Sequence, residues 1–484
     1  MTGIPSSRSV RLRELWPGAL VAAAVAAVNV GSGLGKPSLF IDEAFSWSAA
    51  STGIGDLLHH VRADEVAPPT YYLGLHEWIY RVGSISETAM RLPSVIAAVA
   101  LAVAVVWLAG LVASRRAALV AGLLAAISPL SLVYGQQVRA YIFAALFSTV
   151  AIAAAVTVQR RAGRQRRNWI AVGALAAAAA LAFHYTALLT LVPLFWWCFR
   201  RSGWSRRSAG LFAAPAGLVT LALVPLAGHQ LNQGHEKGIA AAASFTAPHL
   251  IRVLAAPFDW RAETSNGWTL LGLVALVAAA VVLWRRRETL AAELRWLVVP
   301  AALVTPVVLV ALTAAGSNSM ISRYSVVSAP LVIVALAAAA DLAAPRLQLV
   351  IVALAAAAAL GNTLPSHSAD GYYPDMRAAF RAMADGWQAG DRIALAGYPN
   401  IGPNAGYYAG RLLPPNTYPI GEGDRAALGR AVKQRSRLWL LSSNVASGPV
   451  LSGTAASVGY RLVRVTTLPA RTPLQLVLMA PPPR

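Results

Sequence analysis

Cysteine is almost missing from this chain, and acid is scarce. Cys198 is the single thiol and lies inside an apolar run, which excludes a disulfide framework and a cysteine-built metal site. Asp and Glu number 20 against 41 Lys and Arg, and only 13% of the 484 residues are charged. A soluble chain of this length needs more charge than that to cover its surface. No Gly-rich phosphate loop or nucleophile elbow occurs, and no repeat of fixed period, so nucleotide-dependent chemistry and solenoid architectures lose their signatures. The formal charge of +21 does not point to nucleic acid. The arginines stand in short blocks between apolar runs, "RRAGRQRR" at 160–167, "RRSGWSRR" at 200–207 and "RRR" at 285–287. A nucleic-acid binder gathers its basic residues on a soluble face with aromatics among them.

What the chain has is apolar length. Hydrophobic residues make up 57% of it, in windows that recur through residues 15–361. This predicts a polytopic α-helical membrane protein. Eleven spans are expected, at about 15–34, 91–113, 117–133, 140–158, 169–183, 186–199, 209–228, 268–284, 296–315, 325–343 and 347–361. Arg8, Arg11 and Arg13 before the first run imitate a signal peptide, but no small-residue cleavage site follows, and the run reads as a retained span. With the N-terminus in the cytoplasm, the arginine-bearing connections fall inside, as the positive-inside bias requires. Residues 35–90, 229–267 and 362–484 then lie outside. The chain thus divides into a membrane domain, 1–361, and an extracytoplasmic tail, 362–484.

The tail changes period. "MRAAFRAMADGWQ" puts Met376, Phe380, Met383 and Trp387 at helical spacing, and "GDRAALGRAVKQ" reads as a second helix. "DRIALAG", "RLWLLSS", "YRLVRVTT" and "LQLVLMA" read as strands. A small α/β domain is expected, capping the membrane part or helping to hold an acceptor. The loop 229–267, with "HQLNQGHEKG" and "APFDWRAE", is long enough to be a flap over a site.

The acids are unevenly placed. Residues 1–361 hold fourteen, and seven of these, Asp42, Glu43, Asp56, Asp64, Glu65, Glu77 and Glu87, lie in the first outside loop. That loop should pack on the membrane. The stretch 54–62 predicts an interfacial helix with Ile54, Leu57, Leu58 and Val61 toward lipid. Pro68 and Pro69 open a second helix, 70–81, with Tyr71, Tyr72, Trp78 and Tyr80 at headgroup level. His59, His60 and His76 lack the i, i+4 pairing of a helical metal site.

The ordered motifs carry a resemblance. "DEA" at 42–44 follows the first span, then come "APPTYY" at 67–72, "RLP" at 91–93, "SPLSLVYGQQVRAY" at 128–141, "HYTALL" at 184–189 and "SRYSVVSAP" at 322–330. In this order they resemble GT-C-fold membrane glycosyltransferases of the protein O-mannosyltransferase and aminoarabinose-transferase-like group, and the tail is similar to the variable outside domain of such enzymes. The resemblance implies transfer of a sugar from a polyprenyl-phosphate carrier to an acceptor hydroxyl of a lipid, glycan or protein, usually with inversion. It implies no nucleic-acid partner and no required cofactor, and a divalent metal, where one binds, is not expected to be catalytic.

That chemistry needs a carboxylate to take the hydroxyl proton and cations to steady the departing phosphate. The resemblance assigns the base to the Asp42–Glu43 pair, with Asp42 as the first choice and Glu43 orienting it or holding the sugar. Glu65 joins them as a second acid, with Asp64 beside it. Arg139 and Arg323 become candidate phosphate clamps, and Tyr141, His184, Tyr185 and Tyr324 line the donor site. Gln136 and Gln137 are candidates for hydrogen bonds to sugar or headgroup. Mannose or another hexose and an arabinose-type pentose fit equally, because sugar pockets share one set of polar and aromatic residues. The Ala- and Arg-rich composition, with three lysines, suits a high-GC bacterium and its plasma membrane. A transporter or flippase of lipid-linked sugars is the rival, though it should place charges or broken helices at the midplane, in two related halves. A non-catalytic scaffold presenting its outside domain is a third reading.

Overall fold

The computed structural model describes residues 12–232, 246–259, 266–316, 321–367, 375–396, 402–414, 417, 430–442, 456, 460–468 and 474–481. These fall into two compact units. One comprises Met1–Ser32, Gly53–Trp78 and Arg91–Leu364; the other comprises Gly33–Thr52, Ile79–Met90 and Pro365–Arg484. Most of the expected flap, 233–245 and 260–265, and the start of the second tail helix, 423–429, lie outside the described residues.

The first unit is a helical bundle. Among the described residues seven helices are long and apolar enough to cross a membrane: Arg13–Gly31, Glu87–Val112, Tyr141–Val158, Arg206–Asn232, Gly267–Arg285, Leu294–Ala314 and Pro345–His367. The pair Arg115–Ile127 and Pro129–Gly135 makes an eighth span bent by 52°. Ala187–Arg200 and Ala329–Leu342 are shorter apolar helices, and Gly163–Phe183 is basic at its start and apolar beyond Trp169. Together these occupy the eleven segments that hydropathy marks out. The helix Tyr141–Val158 is the most enclosed, 78% buried, and Arg206–Asn232 is 17% buried. Its exposed Leu218, Leu221 and Val224 suit a lipid-facing wall.

Small residues let the helices approach. A Cβ on Gly122 would meet Val106 at 2.2 Å and Ala22 at 3.0 Å, and one on Gly173 would meet Phe212 at 2.2 Å. Interhelical packing in lipid depends on such contacts, because lipid tails offer apolar surfaces no reason to leave them. The bend at Ser128 follows from Pro129, which drives the preceding residue to an extended backbone, φ −61 and ψ 134. The Ser128 hydroxyl donates to the Pro257 carbonyl at 2.6 Å, so the break is satisfied inside the protein.

Two expectations for the outside loop change. Helix Ile54–Asp64 forms, but Leu57 and Val61 are fully buried while Ile54 and Leu58 are exposed. The helix packs against Arg206–Asn232, so only part of its apolar stripe faces away from protein. Helix Thr70–Val82 also forms, yet Tyr71 and Tyr72 are buried, and of the tyrosines only Tyr80 is strongly exposed.

In the second unit a four-stranded sheet has the order β1-β2-β4-β3, with β1 Arg392–Ala396, β2 Leu438–Ser442, β3 Arg461–Leu468 and β4 Leu474–Ala480. The β1–β2 pair is parallel and the others are antiparallel. Helix Met376–Gly386 buries Met376, Ala379, Phe380 and Met383, most of the face that its spacing predicts, and stops before Trp387, which is half-buried. Buried Asp391 ties the sheet's start together. It accepts from Arg437 Nε at 2.9 Å, Arg437 Nη2 at 2.7 Å and Trp439 Nε1 at 2.8 Å.

Candidate active site

In the helical unit a polar cluster forms where four segments end. Helix Ile54–Asp64 stops at Glu65, which is extended at φ −118, ψ 159, and the two prolines after it prevent helix from continuing. Arg139 stands in the turn between Pro129–Gly135 and Tyr141–Val158. Its Nη1 reaches Glu65 Oε1 at 2.8 Å and its Nη2 reaches Oε2 at 3.1 Å. Nη1 also donates to the Tyr72 hydroxyl at 3.3 Å. Both charged side chains are 11% exposed. Burial raises the Tyr72 hydroxyl well above its usual range, against the pull of Arg139, so Tyr72 stays protonated.

The Arg139 turn is held from behind. Gln136 Nε2 donates to the carbonyls of Val30 at 2.8 Å and Ser32 at 2.9 Å, closing the end of the first helix. The Gln137 carbonyl accepts from Ser94 Oγ at 2.7 Å. Gln136, a candidate sugar ligand from sequence, therefore spends its amide on a helix terminus whose last carbonyls need donors.

His184 lies in the turn between Gly163–Phe183 and Ala187–Arg200, its ring tilted 36° against that of buried Tyr141 with centroids 4.6 Å apart. The Thr186 N–H donates to His184 Nδ1 at 3.2 Å and the Thr186 hydroxyl lies 2.9 Å from it. Nδ1 is thus an acceptor and the ring proton sits on Nε2. Burial, then the charges of Arg139 and Arg323, bring the imidazole down to about 3, so it is neutral at physiological pH. Arg323 lies in the 3-10 turn Ser322–Val327, with its guanidinium 5.8 Å from the Tyr324 ring. Tyr324 itself packs on the cluster of Val253 and Leu309, as do Leu250 and Val310. The turn residue Tyr185 donates to Gln230 Oε1 at 2.8 Å, and burial lifts its hydroxyl to about 12.

Gln230 is the residue that sequence reasoning missed. Besides accepting from Tyr185, its Nε2 donates to the carbonyls of Val61 at 2.8 Å and Ala67 at 3.1 Å, the two sides of the stretch that carries Glu65. The available signal was an amide near the end of an otherwise apolar helix, since polar groups at such positions need partners.

Other candidates are placed differently from expectation. Asp64 is exposed and turns to His60 Nδ1 at 3.3 Å, because the last turn of its helix presents that face outward. Glu65 is half of a buried ion pair instead of an isolated acid, and the Arg139 fork expected to grip phosphate is engaged by it. Opposite charges withdrawn from water pair wherever geometry allows.

In the second unit Asp42 and Glu43 open the helix Ile41–Ala50. Glu43 is fully buried, and its Oε2 accepts from the Phe40 N–H at 2.8 Å. Acids in a first helical turn also meet the positive end of the helix dipole. Glu43 thereby acts as a cap, which adjacent positions on a helix make compatible with a different direction for Asp42. Asp42 is half-buried. Among the described residues no three His, Cys, Asp or Glu side chains converge as metal ligands.

Residues 68–229 match the family model described as dolichyl-phosphate-mannose-protein mannosyltransferase. No curated protein sequence matches the chain. In fold it is similar to ArnT from Cupriavidus metallidurans, solved bound to undecaprenyl phosphate, at TM-score 0.56 and 13% identity over 97% of this chain and 98% of that one. It is also similar to the oligosaccharyltransferase AglB from Archaeoglobus fulgidus, solved with an inhibitory peptide and a dolichol-phosphate, at TM-score 0.53 and 10% identity over 89% and 69%. The segment matched in sequence includes Tyr72, Arg139, Tyr141, His184 and Tyr185, and the likeness in fold extends over nearly the whole chain. The protein is a multi-pass membrane glycosyltransferase of the GT-C fold, and its residues 68–229 match a mannosyltransferase family model.

Proposed function

We propose that the enzyme moves a hexose such as mannose, or an arabinose-type pentose, from a polyprenyl-phosphate carrier to an acceptor hydroxyl at the outer face of the plasma membrane, with inversion. The observation that carries this reading is that the charges of Arg139 and Arg323 both act on buried His184 and help keep it neutral. Two guanidiniums from distant parts of the chain thus act on one imidazole, and Glu65 pairs with one of them, Arg139. The second positive charge, together with the Nε2–H of His184, suits a phosphate monoester leaving group. ArnT solved with undecaprenyl phosphate and AglB solved with dolichol-phosphate support a lipid-phosphate donor on this fold.

The residues then divide the work as follows. Asp42 takes the proton of the acceptor hydroxyl as oxygen attacks the anomeric carbon and the phosphate oxygen leaves with the bonding pair. Glu43 fixes the turn that presents Asp42. Glu65 and Tyr72 hold the Arg139 fork in one orientation, while Tyr141 and Tyr185 form walls. Residues 362–484 act as an extracytoplasmic domain on the acceptor side.

Membrane vesicles given radiolabelled polyprenyl-phosphate mannose and, separately, polyprenyl-phosphate arabinose test the proposal. Labelled product from one donor, absent in Asp42→Asn at equal expression, is the expected result. Translocation of the intact donor without transfer would overturn it.

A further inference from the structure

The acid pair stands on a short piece of chain whose backbone is held by side chains from far along the sequence. Leu39 lies two residues before the helix Ile41–Ala50. Its N–H donates to the Tyr408 hydroxyl at 2.7 Å, and its carbonyl accepts from Asn404 Nδ2 at 2.7 Å. Both backbone groups of one buried residue are therefore taken by one helix, Gly402–Leu412, with Asn404 and Tyr408 four apart on the same face. The Tyr408 hydroxyl in turn donates to Glu87 Oε1 at 3.1 Å. Arg377 grips the same oxygen through Nη2 at 2.8 Å and Nε at 3.2 Å, and its Nη1 also binds the Gly35 carbonyl at 2.9 Å. Ser38 Oγ donates to Asp375 Oδ1 at 2.7 Å.

Rings close the arrangement. Tyr408 meets Tyr407 edge-on at 4.9 Å and Phe380 at 6.1 Å, and Tyr407 meets Trp47 of the acid-bearing helix at 5.0 Å. Burial keeps the Tyr408 hydroxyl protonated, which lets it accept from Leu39 and donate to Glu87 at once. Four residues, Asp375, Arg377, Asn404 and Tyr408, thus fix 35–39, and the next residue, Phe40, gives its N–H to Glu43. A cap whose only task was shielding would need none of these bonds to the backbone immediately before the acids.

We infer that Asn404 and Tyr408 are positioning residues for the transfer reaction: they clamp Leu39 and so set the direction in which Asp42 leaves the start of its helix. This rests on the reading of Asp42 as base. A general base works only within hydrogen-bond reach of its proton, and a shift of an ångström costs orders of magnitude in rate without weakening donor binding.

The test uses the full chain in vesicles with the labelled polyprenyl-phosphate sugar that the wild type turns over. Tyr408→Phe keeps the ring contacts and removes the hydroxyl, and Asn404→Ala removes the second grip. Each is expected to lower kcat by 10- to 100-fold with donor KM within twofold. Amide hydrogen exchange over residues 39–43 should accelerate beyond what the fall in Tm from the orphaned Leu39 N–H or carbonyl accounts for. Trp439→Phe, which loses the bond to Asp391 and part of a fully buried ring, controls for general weakening of the sheet. It should lower Tm while leaving kcat per folded molecule unchanged. Unaltered exchange at 39–43, or faster exchange with kcat intact, overturns the inference. An Asp42→Asn enzyme that remains active overturns the base assignment alone, and the exchange result still decides whether Leu39 is clamped.

Discussion

Arg139 and Glu65, 74 positions apart, meet fork to fork, with both Nη atoms on the two carboxylate oxygens and neither side chain more than 11% exposed. The pair joins the turn that opens the helix Tyr141–Val158 to the segment before the two prolines. Its partners are set by packing, and its orientation is set by Tyr72 on one side and the Gln136 anchor on the other.

Removing one partner should therefore cost more than a surface ion pair does. Glu65→Ala leaves a cation where water is scarce and is expected to destabilise the bundle by about 3–5 kcal/mol. Arg139→Lys keeps the charge but loses the planar fork, so it should fail to restore activity even where the protein folds. A double-mutant cycle on Glu65→Gln and Arg139→Lys, read by thermal unfolding in detergent, should give a coupling of roughly 0.5–3 kcal/mol. Simple additivity would show that the contact contributes nothing.

Gln230 predicts a second loss at a distance. Gln230→Ala orphans the Tyr185 hydroxyl and releases the Val61 and Ala67 carbonyls, and each unsatisfied buried group costs about 1–3 kcal/mol. Tyr185→Phe removes one bond and should cost less. Proteolysis or hydrogen exchange across 61–67 is the readout, and it should show Gln230→Ala opening that stretch while Tyr185→Phe does not.

Much of this was legible in the sequence, for identifiable reasons. Long apolar runs announce helices in lipid because every backbone group must be satisfied within the span, and Pro68–Pro69 and Pro129 announce where helices stop or bend. The face of an interfacial helix is less legible. Leu57 and Val61 show the period that lipid-facing residues would show, since lipid and protein interior are both apolar. Pairings across distance were hidden too. Nothing local to Gln230 names Val61, and nothing local to Leu39 names Tyr408. The strands of the tail show as short apolar runs, buried throughout in β2, but the parallel pairing of β1 with β2 depends on contacts between residues more than forty positions apart.

His184 should not titrate across the working range. Its folded value of about 3 lies below the usual 6.5 because burial and the two arginines disfavour the imidazolium. The unfolded chain therefore binds a proton that the folded chain refuses, and stability falls as pH drops from about 6.5 toward 3. Histidine side-chain NMR should find His184 neutral at pH 5, with the proton on Nε2. The kcat profile should carry no His184 inflection between pH 5 and 8, and an inflection lost in His184→Asn would contradict this placement.

Asp391 makes the opposite kind of pH prediction for the sheet. Burial raises its carboxyl, but hydrogen bonds from Arg437, the Gln388 N–H and Trp439, with the Arg437 charge, outweigh that and hold it below the usual range. A depressed carboxylate contributes stability that is present above its unfolded pKa, about 3.9, and is lost as pH falls through the lower folded value. The sheet should thus weaken only below about pH 4. Asp391→Asn should remove that acid dependence while lowering stability at neutral pH, where Arg437 loses its ionic partner. Intrinsic fluorescence of full-length Trp439→Phe against wild type, followed from pH 7 to 2.5, isolates the indole next to the carboxylate and locates the transition. A transition centred near pH 6 would assign the acid sensitivity to some other group.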